Sequence, residues 1–198
     1  MKRLCPDPRI LDYVNRSISF HTHPAPGVII AVFMVDLALE LLGARPGEPL
    51  YAICETRKCA PDPLQVILGC TAGNKRLRVL PIGRFAIAVN RPSDGPAADG
   101  VRVFIDSRKV ARFPMIRAWY SPGRGSGRKG REGALYEEIF HAGREILSHE
   151  RVRVKVPPKE KWEPATCPRC GEMVPGDLLE DGICAGCGSM AYYEKAGS

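Results

Sequence analysis

Long apolar runs, aromatic side chains and, over one stretch, acids are what this 198-residue chain has least of. Its longest apolar run, Val28 to Leu42, is broken by Asp36 and Glu40. It is also short for a bilayer, so no membrane association is expected and the run reads as a buried helix of a globular protein. The opening "MKRLCPDPRILDYV" meets Asp7, Pro8, Arg9 and Asp12 before any apolar stretch of signal-peptide form, which sets a cytoplasmic location as the expectation. No internal repeat is visible. Between Ser107 and Arg131 there are eight Lys and Arg and no acid, and "SPGRGSGRKGREG" offers nothing to bury, so a mobile basic loop is expected. Phe113, Trp119 and Tyr120 are the only aromatics there, which is thin support for base stacking.

What is present points to a folded core with an appendage. Apolar residues make up 44% and charged residues 26%, a globular balance. Net charge is +7, yet residues 160–198 carry three basic and seven acidic side chains, a balance of −4 against +11 for residues 1–159. Eight cysteines in such a chain read as ligands, reactive thiols or core fillers before disulfides, and four of them fall in the last 32 residues.

Asp7 as N-cap and Pro8 in the first turn open a helix through Ile10, Leu11, Val14 and Ile18. A second follows Pro26 and Gly27, apolar nearly all round to Leu42, and stops at Gly43. "LYAICET" (50–56), "LRVLPI" (77–82), "FAIAVN" (85–90) and "VRVFID" (101–106) read as strands of a mixed or antiparallel sheet. Between the first two, Asp62, Pro63 and Gln65 mark the start of a short helix ending at Gly69. "ALYEEIFHAGREILSH" has helical spacing at Leu135, Ile139, Ile146 and Leu147, and "VRVKV" follows as a strand. "PPKEKWEP" reads as a stiff linker. The expected fold class is therefore α+β, with a helix-packed core domain over residues 1–158 and a small four-cysteine zinc-finger domain over 159–198.

The C-terminal domain has the sharpest motif. Cys167 and Cys170 are two residues apart, Cys184 and Cys187 likewise, with thirteen residues between the pairs. Each C-x2-C knuckle aims two thiolates at one point, and Gly171 and Gly188 let the backbone turn close to the sulfurs. Four thiolates suit a structural Zn²⁺, whose ligation would supply most of the stability of so short a segment. Its acidic balance argues for docking to protein rather than to phosphate.

"FHTHPAPG" (20–27) is the second constellation. Pro24 biases His23 away from helical dihedrals, so an extended pair with both imidazoles on one face is expected, half of a metal site at the head of a buried helix. Histidines beside a turn also serve as plain hydrogen-bonding groups. Cys59 and Cys70 flank the short helix, Cys54 reads as filler within a strand, and Asp62 and Gln65 have an adequate task as a reciprocal cap.

"FHTHPAPG" together with "CETRKCAPDPLQVILGCTAGNKRL" resembles the FmdE family, named for the E component of formylmethanofuran dehydrogenase. Its members carry histidine-x-histidine-x-cysteine-proline-glycine. A further segment has cysteine, then aspartate and glutamine three and six residues later, then glycine-cysteine-threonine-x-glycine. The likeness spans about Ile18 to Asn90, and the cysteine-rich tail resembles the treble-clef zinc finger or zinc ribbon that some members append. The resemblance implies an α+β core, a homodimer, and one pocket lined by His21, His23, Cys59, Asp62, Gln65, Cys70 and Thr71. In that pocket His21, His23, Cys59 and Cys70 could hold a second metal. Where the family has cysteine before proline-glycine this chain has Ala25, so one thiol is absent.

Three functions compete. The resemblance implies an accessory protein of one-carbon or molybdenum/tungsten metabolism, linked to methanogenesis and to an oxidoreductase complex as protein partner. Residues 108–131 suggest instead a non-catalytic module for nucleic acid or another polyanion, which is not favoured. The third is a thiol-dependent enzyme using Cys59 or Cys70 with a histidine as base.

Overall fold

A computed structural model describes residues 7–45, 47–121, 132–157, 163–194 and 196. It divides into two compact units, Met1–Val156 and Pro157–Ser198.

The first unit is built around one helix. α1 (Pro8–His21) begins where the Asp7 carboxylate accepts hydrogen bonds from the backbone of Arg9 and Ile10. α2 (Pro26–Leu42) is buried without interruption from Gly27 to Asp36, and ends on Gly43 in the left-handed region at φ 57°. Such a helix can be apolar all round because α1, two further helices and the sheet surround it. β1 (Tyr51–Cys54), α3 (Pro61–Leu68) and β2 (Leu77–Val79) form a strand-helix-strand unit with the two strands parallel. β3 (Ala86–Asn90), β4 (Ala97–Ile105) and β5 (Leu147–Lys155) complete a mixed five-stranded sheet of order β2-β1-β3-β4-β5, antiparallel except at β1/β2.

Side chains alternate across the strands. Ala52, Cys54, Ile87, Val89, Val101 and Val103 join the helices in one hydrophobic core. On the opposite face Arg102 grips the buried Glu55 carboxylate at 2.7 and 3.0 Å, and Arg84 reaches the same group at 2.6 Å. The Arg102 hydrogen bonds, first among the causes, hold the Glu55 carboxyl below its ordinary range.

Two expectations change here. The basic stretch is not all loop: α4 (Ser107–Val110) starts on the Asp106 side chain, α5 (Pro114–Tyr120) follows, and Val110, Phe113 and Ile116 are buried. Apolar residues at turn-like spacing were enough to pull this charged segment onto the core, while residues 122–131 lie outside the described ones. The helix that follows, α6 (Glu132–Ala142), is shorter than its periodicity suggests. Gly143 turns the chain at φ 50°, and Ile146 and Leu147 reach the core from a turn and from β5. Helix and strand placed the same side chains inward, and the glycine decided between them.

The C-terminal unit holds two small hairpins, β6 (Pro164–Thr166) with β7 (Met173–Pro175) and β8 (Leu179–Glu180) with β9 (Ile183–Cys184). Single helical turns at Gly176–Leu178 and Ala185–Cys187 complete it. A helix-packed sheet in one unit and a four-cysteine cluster in the other make the chain an α+β protein with a small appended metal-binding unit.

Candidate functional site

α1 continues further than the proline rule suggests. His21 is its last helical residue, Thr22 takes the left-handed conformation at φ 71°, His23 lies in a bend, and Ala25 is extended at φ −130° just before α2. Pro24 restrains the residue before it and no more, so the histidine pair is not an extended strand. The rings still face each other, with centroids 4.5 Å apart and planes tilted by 40°.

Asp62, in the first turn of α3, does not cap its own helix; the N-cap is Ala60, without a side-chain bond. Its Oδ2 lies 2.6 Å from His21 Nδ1, a contact made across 41 positions. An ionised carboxylate only accepts, so Nδ1 is the donor in this contact, and a neutral ring then has its lone pair on Nε2. The reciprocal cap expected from sequence is thus replaced by a carboxylate–histidine pair. Gln65 is half-buried on α3, and its carbonyl accepts from Gly69.

Cys59 enters from the same loop. It holds a positive φ of 53°, unusual for a residue with a Cβ. The thiol lies against the first turn of α2: a Cβ on Gly27 would stand 3.0 Å from both Cβ and Sγ of Cys59 and 3.4 Å from the Phe85 ring. Burial first, then the Asp62 charge, raises its pKa. Ala25, at the N-cap of α2, is buried and offers no side-chain cap.

The remaining members of the expected pocket lie elsewhere. α3 is eight residues long, about 12 Å at the helical rise, and Cys70 and Thr71 follow its far end. Cys70 is wholly buried, donates through Sγ to the Leu50 carbonyl at 3.2 Å, and has its pKa pushed up to about 11, mainly by burial. Thr71 exchanges hydrogen bonds with Asn74 in the turn beyond Gly69. Cys54 is core filler, its pKa raised to about 11 by burial.

Long-range packing adds neighbours without a local signal. The Tyr136 hydroxyl of α6 donates to the Pro24 carbonyl at 3.1 Å, 112 positions away, and pins the histidine segment. Trp119 of α5 packs edge-on against Phe85 at 6.4 Å between centroids. The aromatics of the basic stretch therefore serve packing: Phe113 is buried and Trp119 meets Phe85.

In the C-terminal unit the ligand atoms of Cys167, Cys170, Cys184 and Cys187 all lie within 4.8 Å of one another, the only such group of metal-ligating side chains among the described residues. Cys170 Sγ and Cys184 Sγ are 3.8 Å apart, the edge of a tetrahedron with arms of about 2.3 Å. The Cys184 N–H donates to Cys167 Sγ at 3.3 Å, and backbone donors, that one first, pull the Cys167 pKa down to about 6. The donor set fits a thiolate-loving metal ion.

Fold and site together define the class: a small α+β core with a histidine–carboxylate–thiol corner and a four-cysteine metal-binding unit. Residues 20–155 match the family model described as "FmdE, Molybdenum formylmethanofuran dehydrogenase operon", and the chain belongs to that family. It is similar to a tungsten formylmethanofuran dehydrogenase FmdE-like protein from Syntrophus aciditrophicus, with 37% identity, a TM-score of 0.74, and coverage of 93% of this chain and 95% of that one. It is also 31% identical, over 97% of its length, to a probable S-adenosyl-L-methionine-binding protein of Archaeoglobus fulgidus. The chain spans 56% of that relative's length. No helix among the described residues is long and apolar enough to cross a membrane.

Proposed function

We propose that this chain is a cytoplasmic accessory protein of molybdenum- or tungsten-dependent one-carbon metabolism, a homodimer that joins an oxidoreductase complex. Its C-terminal cysteines hold a structural zinc, and the corner formed by His21, His23, Cys59 and Asp62 takes up a second metal ion. Family membership supports the accessory role. Binding of S-adenosylmethionine is named for a protein nearly twice as long, and none of the residues described supports its transfer to this chain.

The His21–Asp62 contact carries the core-site reading. A carboxylate holding Nδ1–H orients the ring and raises the basicity of Nε2, the usual arrangement behind a metal-ligating imidazole. His23 lies beside it and Cys59 is held near by a strained backbone. These groups do not converge on one point as the four cysteines do, so the site would assemble as it binds. A nucleophilic Cys59 is the weaker reading, because burial and the Asp62 charge both favour the protonated thiol.

Cobalt(II) titration of zinc-loaded protein tests this, followed by absorption and elemental analysis. One tightly held zinc per chain should persist in all core variants, while a second, weaker uptake should vanish in His21→Ala and fall sharply in Asp62→Asn. Second-site uptake indifferent to both substitutions would remove the core site. Light scattering at twice the 21.7 kDa chain mass would support the homodimer.

A further inference from the structure

At the end of the sheet away from the histidines lies a cleft of about 580 Å³, between the C-terminus of α2 and the start of β4. β3 separates the two places: Phe85 precedes it beside Cys59, and Arg91 follows it at the cleft. We propose that this cleft is a second binding site, for a small anion that carries an apolar body.

Three arginines line it, and they are not equivalent. Arg91 is fixed: it donates to the Leu42 carbonyl at 2.9 Å, to the Gly43 carbonyl at 3.3 Å, and to Glu48. It serves as a rigid wall that offsets the negative end of α2. Arg153 makes one ion pair, at 3.7 Å to Asp99, with both side chains largely exposed at 79% and 93%. A contact of that kind is worth little and is readily exchanged. The Arg151 side chain has no ion-pair or hydrogen-bond partner among the described residues. Arg151 and Arg153 stand two apart on β5 and so point to the same side. Asp99 is the one acid in the lining, against three guanidiniums.

Beside the arginines, Leu42, Pro92 and Ala97 add apolar surface, Ala97 standing on their side of the β4–β5 ladder. The volume would admit a small organic ligand that stays partly open to solvent. Guanidiniums match carboxylate and phosphate oxygens through paired N–H donors, while Leu42, Pro92 and Ala97 would cover hydrocarbon or a ring. The competing explanation is that exposed charges on β5 guard an edge strand against pairing with another chain. It accounts for His149, Arg151, Arg153 and Lys155 in alternation, but not for a cleft in which Leu42, Pro92 and Ala97 stand beside them.

Amide NMR spectra of the full chain, titrated separately with naphthyl phosphate and inorganic phosphate, decide between them. The expectation is that naphthyl phosphate binds more tightly than inorganic phosphate and shifts the amides of Ser93, Asp99 and Arg151. In the double variant Arg151→Ala/Arg153→Ala affinity should fall about tenfold or more, with the thermal midpoint unchanged. Absence of shifts at those amides, or equal affinity in the variant, overturns the proposal. A variant that self-associates while binding the probe as before would assign the arginines to edge protection and equally overturn it. Tighter binding by inorganic phosphate would reject the apolar body.

Discussion

At Gly27 a single added methyl group would collide with the thiol it faces. Its Cβ would stand 3.0 Å from Cys59 Cβ and Sγ, and Cys59 already occupies a left-handed conformation with little freedom to retreat. Gly27→Ala should cost about 1–3 kcal/mol, measured by urea denaturation. Gly27→Ala/Cys59→Gly should recover much of it, since it removes both the Cβ and the sulfur and glycine suits the positive φ at that position. The carboxylate of Asp62 acts on another ring: Asp62→Asn keeps the shape but removes the charge behind His21, and core metal affinity should drop roughly 10- to 100-fold. Ala25→Cys places a thiol at the head of α2, and stronger cobalt–thiolate absorption in this variant would show that the alanine is what limits the site. An unchanged spectrum would mean that position 25 does not face the metal.

At the scale of elements, ion pairs hold the helices and the sheet at fixed separations. Asp36 on α2 is buried and paired with Arg9 of α1 at 2.5 Å and with Arg144, in the turn after α6, at 2.9 Å, so two helices and that turn meet at one carboxylate. Arg144→Ala leaves Arg9 in place, and its cost should stay below the roughly 3–5 kcal/mol of a fully orphaned buried charge. Glu55 ties β1 to β4 through Arg102. Its folded pKa is depressed below 4.5, so its contribution is fully present above that value and is lost as pH falls through the folded pKa. Glu55→Gln should therefore flatten the acid limb of stability below pH 4.5. A limb as steep as in the parent protein would assign acid sensitivity to other carboxylates.

For the whole molecule, the two units rest on different physics. The first unit has a continuous hydrocarbon core, while the described residues from Pro157 onward have almost no buried apolar side chain and one cluster of four thiols. A chelator should release one zinc per chain and abolish amide protection in the C-terminal unit, leaving protection in α2, β3 and β4 intact. Loss of protection in both units together would show that the core depends on the metal as well.

Much of this was settled by neighbours in the chain. Asp7 and Pro8 begin α1, Gly43 and Gly69 end α2 and α3, and two C-x2-C knuckles bring four sulfurs together, because capping, left-handed glycine and short loops act over a few residues. Tertiary structure decided the rest. Asp62 left its own helix for His21, Cys70 turned to Leu50 at the far end of α3, and the charged segment after Asp106 folded because Val110, Phe113 and Ile116 found a core to enter. Tyr136 reached Pro24 across 112 positions, and Arg151 came to flank a cleft beside Leu42. Each choice pitted one adequate local partner against a distant one. Only the packed chain determines which distant groups are close enough to compete.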